Sequence, residues 1–315
     1  MCARPQLAST EVTAVKTWWV GARPRTLPAA IAPVAVGAGA AAMQSARDYR
    51  SQDFLIAGLC LIVSLALQVG VNYANDYSDG VKGTDDERVG PVRLVGSGLV
   101  APHLVRRAAF VSFGVAAVAG LVLLAITGLW WLLPVGLLAV AAAWFYTGGA
   151  RPYGYAGLGE VVVFVFFGVV AVAGTSTLLL GQVTVVSLVA SVPVGLLACA
   201  LLVVNNLRDI ASDDAAGKHT LAVRLGDQRT RSLYVAMIWL PFLIVIAMTL
   251  VALVISNGPI FAALPIITLP LAAAPARAVR NGATGPNLIA VLGATARLHL
   301  VFSLLLAVGL ALSVQ

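Results

Sequence analysis

Apolar runs of roughly 18 or more residues, long enough to cross a bilayer as helices, recur along the whole chain. A soluble protein of 315 residues would need a polar shell, yet only 10% of these residues are charged, against about 25% in soluble domains, and 60% are hydrophobic. Lipid must therefore be much of the solvent. The short alternating segments of a membrane β-barrel are absent. At about 20 apolar residues per span, the sequence predicts an all-α, polytopic membrane bundle of nine transmembrane helices. They are expected at approximately residues 26–45, 53–75, 106–126, 129–147, 158–179, 185–207, 232–254, 260–279 and 290–312. Residues 1–25 are expected to form a cytoplasmic N-terminal segment, and 26–315 a single transmembrane domain. Arg23 and Arg25 ahead of an Ala-rich run imitate a signal peptide. Pro24, Pro28 and Pro33, with the long polar lead, point instead to an uncleaved first span.

Three connections, 76–105, 148–157 and 208–231, are long and polar. All three follow even-numbered spans and so share one membrane face. Of the 20 basic residues, all but Arg47 and Arg50 fall on the N-terminal segment, the even-numbered connections or their flanks. The positive-inside rule then makes this a multi-pass cell-membrane protein with its N-terminus and long loops in the cytoplasm and its C-terminus outside. An even number of spans would spoil that split. The net charge of +7 is accounted for by topology, and no Arg/Lys run interleaved with aromatics occurs, so nucleic acid is excluded as a partner. The cysteines (Cys2, Cys60, Cys199) form no CxxC, and the latter two lie in apolar spans as small hydrophobes.

Two acidic clusters sit at equivalent places. The end of the second span reads Asn72-Tyr-Ala-Asn75-Asp76-Tyr-Ser-Asp79-Gly80, and the end of the sixth reads Asn205-Asn206-Leu-Arg208-Asp209-Ile-Ala-Ser-Asp213-Asp214. Helical neighbours at i+3 and i+4 share a face, so Asn72, Asp76 and Asp79 line one stripe and Asn205, Asp209 and Asp213 another. Carboxylates this close to a bilayer need a cavity or a partner. Magnesium takes oxygen ligands and is usually shared with substrate phosphates, so two facing stripes suit metal ions bridging a diphosphate. Beyond each cluster come a Gly and a Lys, Gly80 with Lys82 and Gly217 with Lys218, a weak internal repeat suited to phosphate. No Walker loop is present.

On these residues the chain resembles the UbiA superfamily of intramembrane aromatic prenyltransferases. The likeness rests on Asn75-Asp76-x-x-Asp79 and Asp209-xxx-Asp213, and covers the chain from about residue 17 on. Ala22-Arg23-Pro24-Arg25-Thr26-Leu27-Pro28, Tyr146-Thr147-Gly148-Gly149-Ala150-Arg151-Pro152-Tyr153-Gly154-Tyr155 and Gly217-Lys218-His219-Thr220 are similar to the branch acting on 1,4-dihydroxy-2-naphthoate in menaquinone synthesis. Asp85 and Asp86 follow a Gly-Val-Lys-Gly stretch that departs from the family's spacing.

The resemblance implies transfer of a polyprenyl group from its diphosphate to the naphthoate with decarboxylation, with magnesium as cofactor. It implies catalytic carboxylates at Asp76, Asp79, Asp209 and Asp213, and metal ligands from these four with Asn72 and Asn205. Lys82, Arg151, Lys218 and Arg93 are the expected diphosphate clamps. Arg23, Arg25, Tyr146 and Tyr153 are expected to bind the acceptor, the arginines by its carboxylate, and Tyr146 and Tyr153, with Tyr73, to face the allyl cation. None of His103, His219 and His299 is placed to be the base, which stays unassigned between Asp79, Asp85 and water. Two rival functions remain: the same chemistry on another acceptor such as 4-hydroxybenzoate, or a cation-coupled transporter using helices broken at Pro134, Pro193, Pro241, Pro265 and Pro270.

Overall fold

The computed structural model describes residues 14–45, 50–83, 92–255 and 258–313. Cys2, Arg47, Asp48, Asp85, Asp86 and Arg88 lie outside them. The described residues form helices joined by loops and contain no strand. The helices are α1 (Ala14–Ala22), α2 (Pro28–Gln44), α3 (Ser51–Lys82), α4 (Pro102–Thr127), α5 (Leu133–Phe145), α6 (Gly159–Val163), α7 (Ala171–Leu180), α8 (Val185–Ala215), α9 (Leu221–Val254), α10 (Leu269–Arg280) and α11 (Pro286–Leu312). A π-helical stretch, Phe164–Val170, joins α6 to α7 in one rod.

Each expected span coincides with a helical segment, but not all are long. Among the described residues, six helices are long and apolar enough to cross a membrane, or seven if the pair Val15–Thr26 and Pro28–Gln44, bent by 53°, is one span. The segments expected at 129–147 and 260–279 are shorter. Each opens with a 3-10 turn, Trp130–Leu132 and Leu264–Thr268, before α5 and α10 begin. Pro134 and Pro270 occupy the first turns of those helices. Proline lacks the N–H needed to continue a helix but fits its first turn, so each apolar run is divided.

Conversely, α3 and α8 have 32 and 31 residues, whereas the 34 residues of α9 are broken by a kink at Gly226, whose φ 74° and ψ 171° are not helical. At 1.5 Å per residue, α3 spans about 48 Å, well beyond the roughly 30 Å hydrocarbon core. The helix carries Asn72–Lys82 past the point where apolarity ends. The residues before 26 also join the bundle, because α1 packs on α3. The Tyr73 hydroxyl donates to the Trp18 carbonyl at 2.8 Å, and the two rings meet edge to face at 5.7 Å.

Small residues let the helices approach closely, which is how apolar helices pack in lipid. A Cβ on Gly39 of α2 would collide with the backbone of Ala307 in α11, and one on Gly168 would lie 2.8 Å from Gly195 Cα in α8. The main core gathers Val36, Leu197, Tyr234, Phe242, Leu298 and Phe302 from α2, α8, α9 and α11. Large apolar side chains such as Phe110, Leu138, Leu243 and Leu253 face outward, as a lipid solvent allows. Together these features make the chain a multi-pass membrane protein.

Candidate active site

At about 100° per residue, Asn72, Asn75, Asp76 and Asp79 of α3 fall within a sector of roughly 100°. The structure divides that sector among three partners. Asp76, fully buried, accepts hydrogen bonds from the backbone N–H of Leu94 to Oδ2 and of Val95 to Oδ1, both at 2.9 Å. Burying a carboxylate costs several kcal/mol, and charge-assisted bonds of about 1.5–3 kcal/mol each offset that cost. Asp76 thereby clamps loop 92–100 onto α3, where Val95 packs so tightly against Gly80 that a Cβ there would lie 2.5 Å from Val95 Cγ1. The clamped loop delivers Arg93, whose Nη2 lies 3.9 Å from Asp79 Oδ2.

Asn72 faces the entry to α2. Its Nδ2 donates to the Ala22 carbonyl at 2.8 Å and to Thr26 Oγ1 at 2.9 Å, and Gln68 Nε2 donates to its Oδ1 at 3.3 Å. These bonds secure a turn in which Arg23 has φ 52°, the one non-glycine residue with positive φ among those described, a conformation that costs energy and persists only where neighbours enforce it. The Arg23 side chain lines the central cavity, with Nη2 buried and without a hydrogen-bond partner. Arg25 is exposed and does not line the cavity. Of the stripe expected to bind metal, Asn72 and Asp79 line the cavity together with Asn75, while Asn72 also braces the Arg23 turn and Asp76, outside the lining, braces the loop that carries Arg93.

On α8, Arg208 grips its neighbour Asp209 with two bonds of 2.7 Å and donates to Asn205 Oδ1 at 2.9 Å. Lys218 lies 3.5 Å from Asp213. The two half-sites differ in backbone. Gly80 stays inside α3, whose αL cap is Gly83, whereas Gly217 itself takes φ 67° just beyond α8 and turns Lys218 back so that its N–H donates to the Asp213 carbonyl at 2.7 Å. The sequence repeat does not extend to conformation.

Loop 148–157 joins the halves. Tyr155 donates to Asp79 Oδ1 at 2.9 Å, while the ammonium groups of Lys82 and Lys218 lie 4.7 Å and 5.3 Å from its ring centroid. Thr147 donates to Asn75 Oδ1 at 2.8 Å, and its carbonyl accepts from Lys82 at 2.8 Å. Tyr146 and Tyr153 meet edge to face at 5.6 Å and both line the cavity. Burial holds the Tyr153 phenol well above its ordinary pKa, so it remains a neutral donor, here to the Ala142 carbonyl at 2.7 Å. Arg151 is exposed and does not join the cluster. Sequence reasoning gave Thr147, Tyr155 and Gln68 no role.

Below this polar mouth extends a cavity of about 470 Å³ between α2, α3, α4, α5, the π-helical rod and α8. Its deeper wall is apolar, with Leu67, Leu124, Leu137, Phe166, Phe167 and Leu178. Glu160, at the start of α6, accepts from Asn206 at 3.1 Å, and Asn206 in turn borders the cavity. His299 is fully buried in α11 with both ring nitrogens unpartnered and stays outside the cavity lining.

The donors at the mouth fit magnesium in one mode. They are all hard oxygens, and no group of three or more His, Cys, Asp or Glu converges among the described residues. There is thus no all-protein cage of the kind calcium or zinc would take. Magnesium needs none: one or two carboxylates, retained waters and substrate phosphate oxygens complete its shell.

Comparison with known proteins agrees with this geometry. The profile of the UbiA prenyltransferase family matches residues 30–287. The chain is 50% identical over 294 residues to the 1,4-dihydroxy-2-naphthoate octaprenyltransferase of Mycobacterium tuberculosis, covering 93% of this chain and 96% of that protein. It is 38% identical over 231 residues to the protein of that name from Escherichia coli, covering 71% and 73%. The fold matches a UbiA homolog from Archaeoglobus fulgidus, solved bound to GPP and Mg2+, with TM-score 0.61 at 15% identity over 92% of this chain and 99% of that one. With the acidic helix ends, the cavity and these likenesses in view, the chain belongs to the UbiA prenyltransferase family.

Proposed function

We propose that the protein transfers a polyprenyl group from polyprenyl diphosphate to 1,4-dihydroxy-2-naphthoate, releasing diphosphate and carbon dioxide and giving demethylmenaquinol. The observation that carries this reading is the two-part cavity, with an acidic and basic mouth over an apolar interior, which matches a charged diphosphate on an apolar tail. The acids lie at one end of the bundle beside the loops rather than at mid-membrane, which weighs against a transporter. The names of the relatives support the choice of acceptor.

Asp79, Asp209 and Asp213, with Asn75 and Asn205, are the residues that would hold magnesium, and Lys82, Lys218 and Arg93 would hold phosphate oxygens. When bound, magnesium supplies positive charge where the departing oxygen becomes anionic. The apolar wall excludes water from the allyl cation, and Tyr146 and Tyr153 present their rings beside it. The unpartnered Arg23 Nη2 is available to the acceptor carboxylate. Attack by the ring carbon that bears the carboxylate forms the new C–C bond and gives a keto acid. Loss of carbon dioxide returns the electron pair to the ring, and the carbonyl regains its proton. An assay with carboxyl-labelled naphthoate is expected to give prenylated product and released label in equal amounts. Prenylation of 4-hydroxybenzoate alone, or product that keeps its label, would refute this assignment.

We read nine spans, the two short segments included, with the mouth in the cytoplasm; the basic residues that gather on that side of the sequence support the orientation. In a chain with Cys2 replaced, cysteines introduced at Gly98 and Ala216 are expected to react only from the cytoplasmic side, and one at Asp48 only from outside. Cys60 and Cys199 are buried and give little background. Labelling of both loops from outside would invert the topology.

A further inference from the structure

We propose that Tyr155 is a positioning residue that couples the two halves of the diphosphate site: one side chain orients Asp79 through its hydroxyl and holds Lys82 and Lys218 through its ring. This inference rests on the prenyl-diphosphate reading above and adds to it a residue that the acidic motifs do not contain.

Three independent contacts meet at this ring. Its hydroxyl donates to Asp79 Oδ1 at 2.9 Å, the carboxylate that Arg93 approaches from its other oxygen. Lys82, the last residue of α3, and Lys218, just beyond α8, both place their ammonium groups within 5.3 Å of the ring centroid. Two ammonium groups that close repel each other. An aromatic face attracts both and brings no negative charge of its own, so it holds them near one another for an incoming polyanion. A carboxylate in the same place would attract them as well, but it would repel the phosphate.

The local backbone fixes this ring more firmly than a surface loop usually allows. Tyr155 lies in a 3-10 turn, Tyr153–Ala156, whose N–H groups are tied at 3.0 Å (Gly154 to the Tyr146 carbonyl) and 3.1 Å (Tyr155 to the Pro152 carbonyl). Gly154 is required there, because a Cβ would lie 2.6 Å from the Tyr146 carbonyl oxygen. The turn closes on Gly157 at φ 74°. With Tyr153 anchored to α5 through Ala142, the ring is presented from a third element toward the ends of α3 and α8. It thus sets their separation at the mouth, where the phosphates must fit.

The test uses the full chain in nanodiscs and two variants, Tyr155→Phe and Tyr155→Ala, with calorimetric binding of inorganic diphosphate in magnesium and steady-state kinetics. Wild type is expected to bind magnesium diphosphate; failure to bind would overturn the site reading and this inference with it. Tyr155→Ala is expected to weaken diphosphate binding and raise KM for prenyl diphosphate at least tenfold, leaving KM for the naphthoate within twofold. Tyr155→Phe keeps the ring and loses the hydroxyl. It is expected to restore diphosphate binding to within threefold of wild type while kcat stays about tenfold low and more magnesium is needed for half-maximal rate. Wild-type diphosphate affinity in Tyr155→Ala would overturn the inference and leave the function standing. So would equal rises in both KM values, or a phenylalanine variant as impaired in binding as the alanine one.

Discussion

Excess chelator is expected to abolish prenyl transfer, and added magnesium to restore it. The reason is the charge balance at the mouth. Four buried acids, Asp76, Asp79, Asp209 and Asp213, are set among four bases, Lys82, Arg93, Arg208 and Lys218. Among the described residues, these acids therefore offset much of the positive charge that the bases would offer a diphosphate. Each pair is near contact, 3.9 Å for Arg93 with Asp79 and 3.5 Å for Lys218 with Asp213. With a divalent cation held among the carboxylates, Lys218 and Arg93 would be free to turn from Asp213 and Asp79 to phosphate oxygens. Electrostatic stabilisation of a leaving group is commonly the largest catalytic contribution, so its loss should leave no measurable turnover above background. The measurement is product formation in membranes with chelator, then with magnesium titrated back. Full activity in excess chelator would refute the metal-dependent mechanism.

Asp79→Asn and Asp76→Asn are both expected to cripple the enzyme, by different routes that a melting curve separates. Asp79→Asn keeps shape and can still accept from Tyr155 but removes a negative charge that faces the cavity. A fall in kcat of about 10²–10³ is expected, with thermal stability close to wild type. Asp76→Asn presents one acceptor oxygen and one NH2 group to the two N–H donors of Leu94 and Val95. One buried donor then faces another, at a cost of about 1–3 kcal/mol, and loop 92–100 loosens along with Arg93. That variant should melt lower and bind prenyl diphosphate more weakly. Wild-type melting of Asp76→Asn would show that the clamp is not its role, and wild-type turnover of Asp79→Asn would remove the acidic cluster from the chemistry.

The helices were legible because lipid forces long apolar runs, and every expected span has a helical counterpart. Their ends were not. Apolarity marks where lipid stops rather than where the helix stops, so α3 and α8 run on to Lys82 and Ala215 past expected ends at 75 and 207. Counting apolar residues also made full spans of two segments that Pro134 and Pro270 shorten. Within the site, periodicity put Asn72, Asp76 and Asp79 on one sector of α3, where the structure also has them. It could not assign that sector's residues among three partners, since loop 92–100 and the Arg23 turn reach α3 only through tertiary contact. Arg23 and Arg25 look alike in sequence, and only the turn at φ 52° sends the first toward the cavity. Tyr155 carried no periodic signal; its importance comes from three chain segments far apart in sequence.

The division of the cavity into a charged mouth and an apolar depth has a consequence for what happens after the bond is made. Both substrates carry an anionic handle, a diphosphate on one and a carboxylate on the other, and on the proposed assignment the bases at the mouth hold them by those handles. The reaction discards both. What remains is a neutral hydroquinone on a hydrocarbon chain, with nothing for the lysines and arginines to hold and a strong preference for the bilayer. Turnover thus converts a ligand of the protein into a solute of the membrane, and the enzyme empties by partition, with no need for a separate step that pushes the product out.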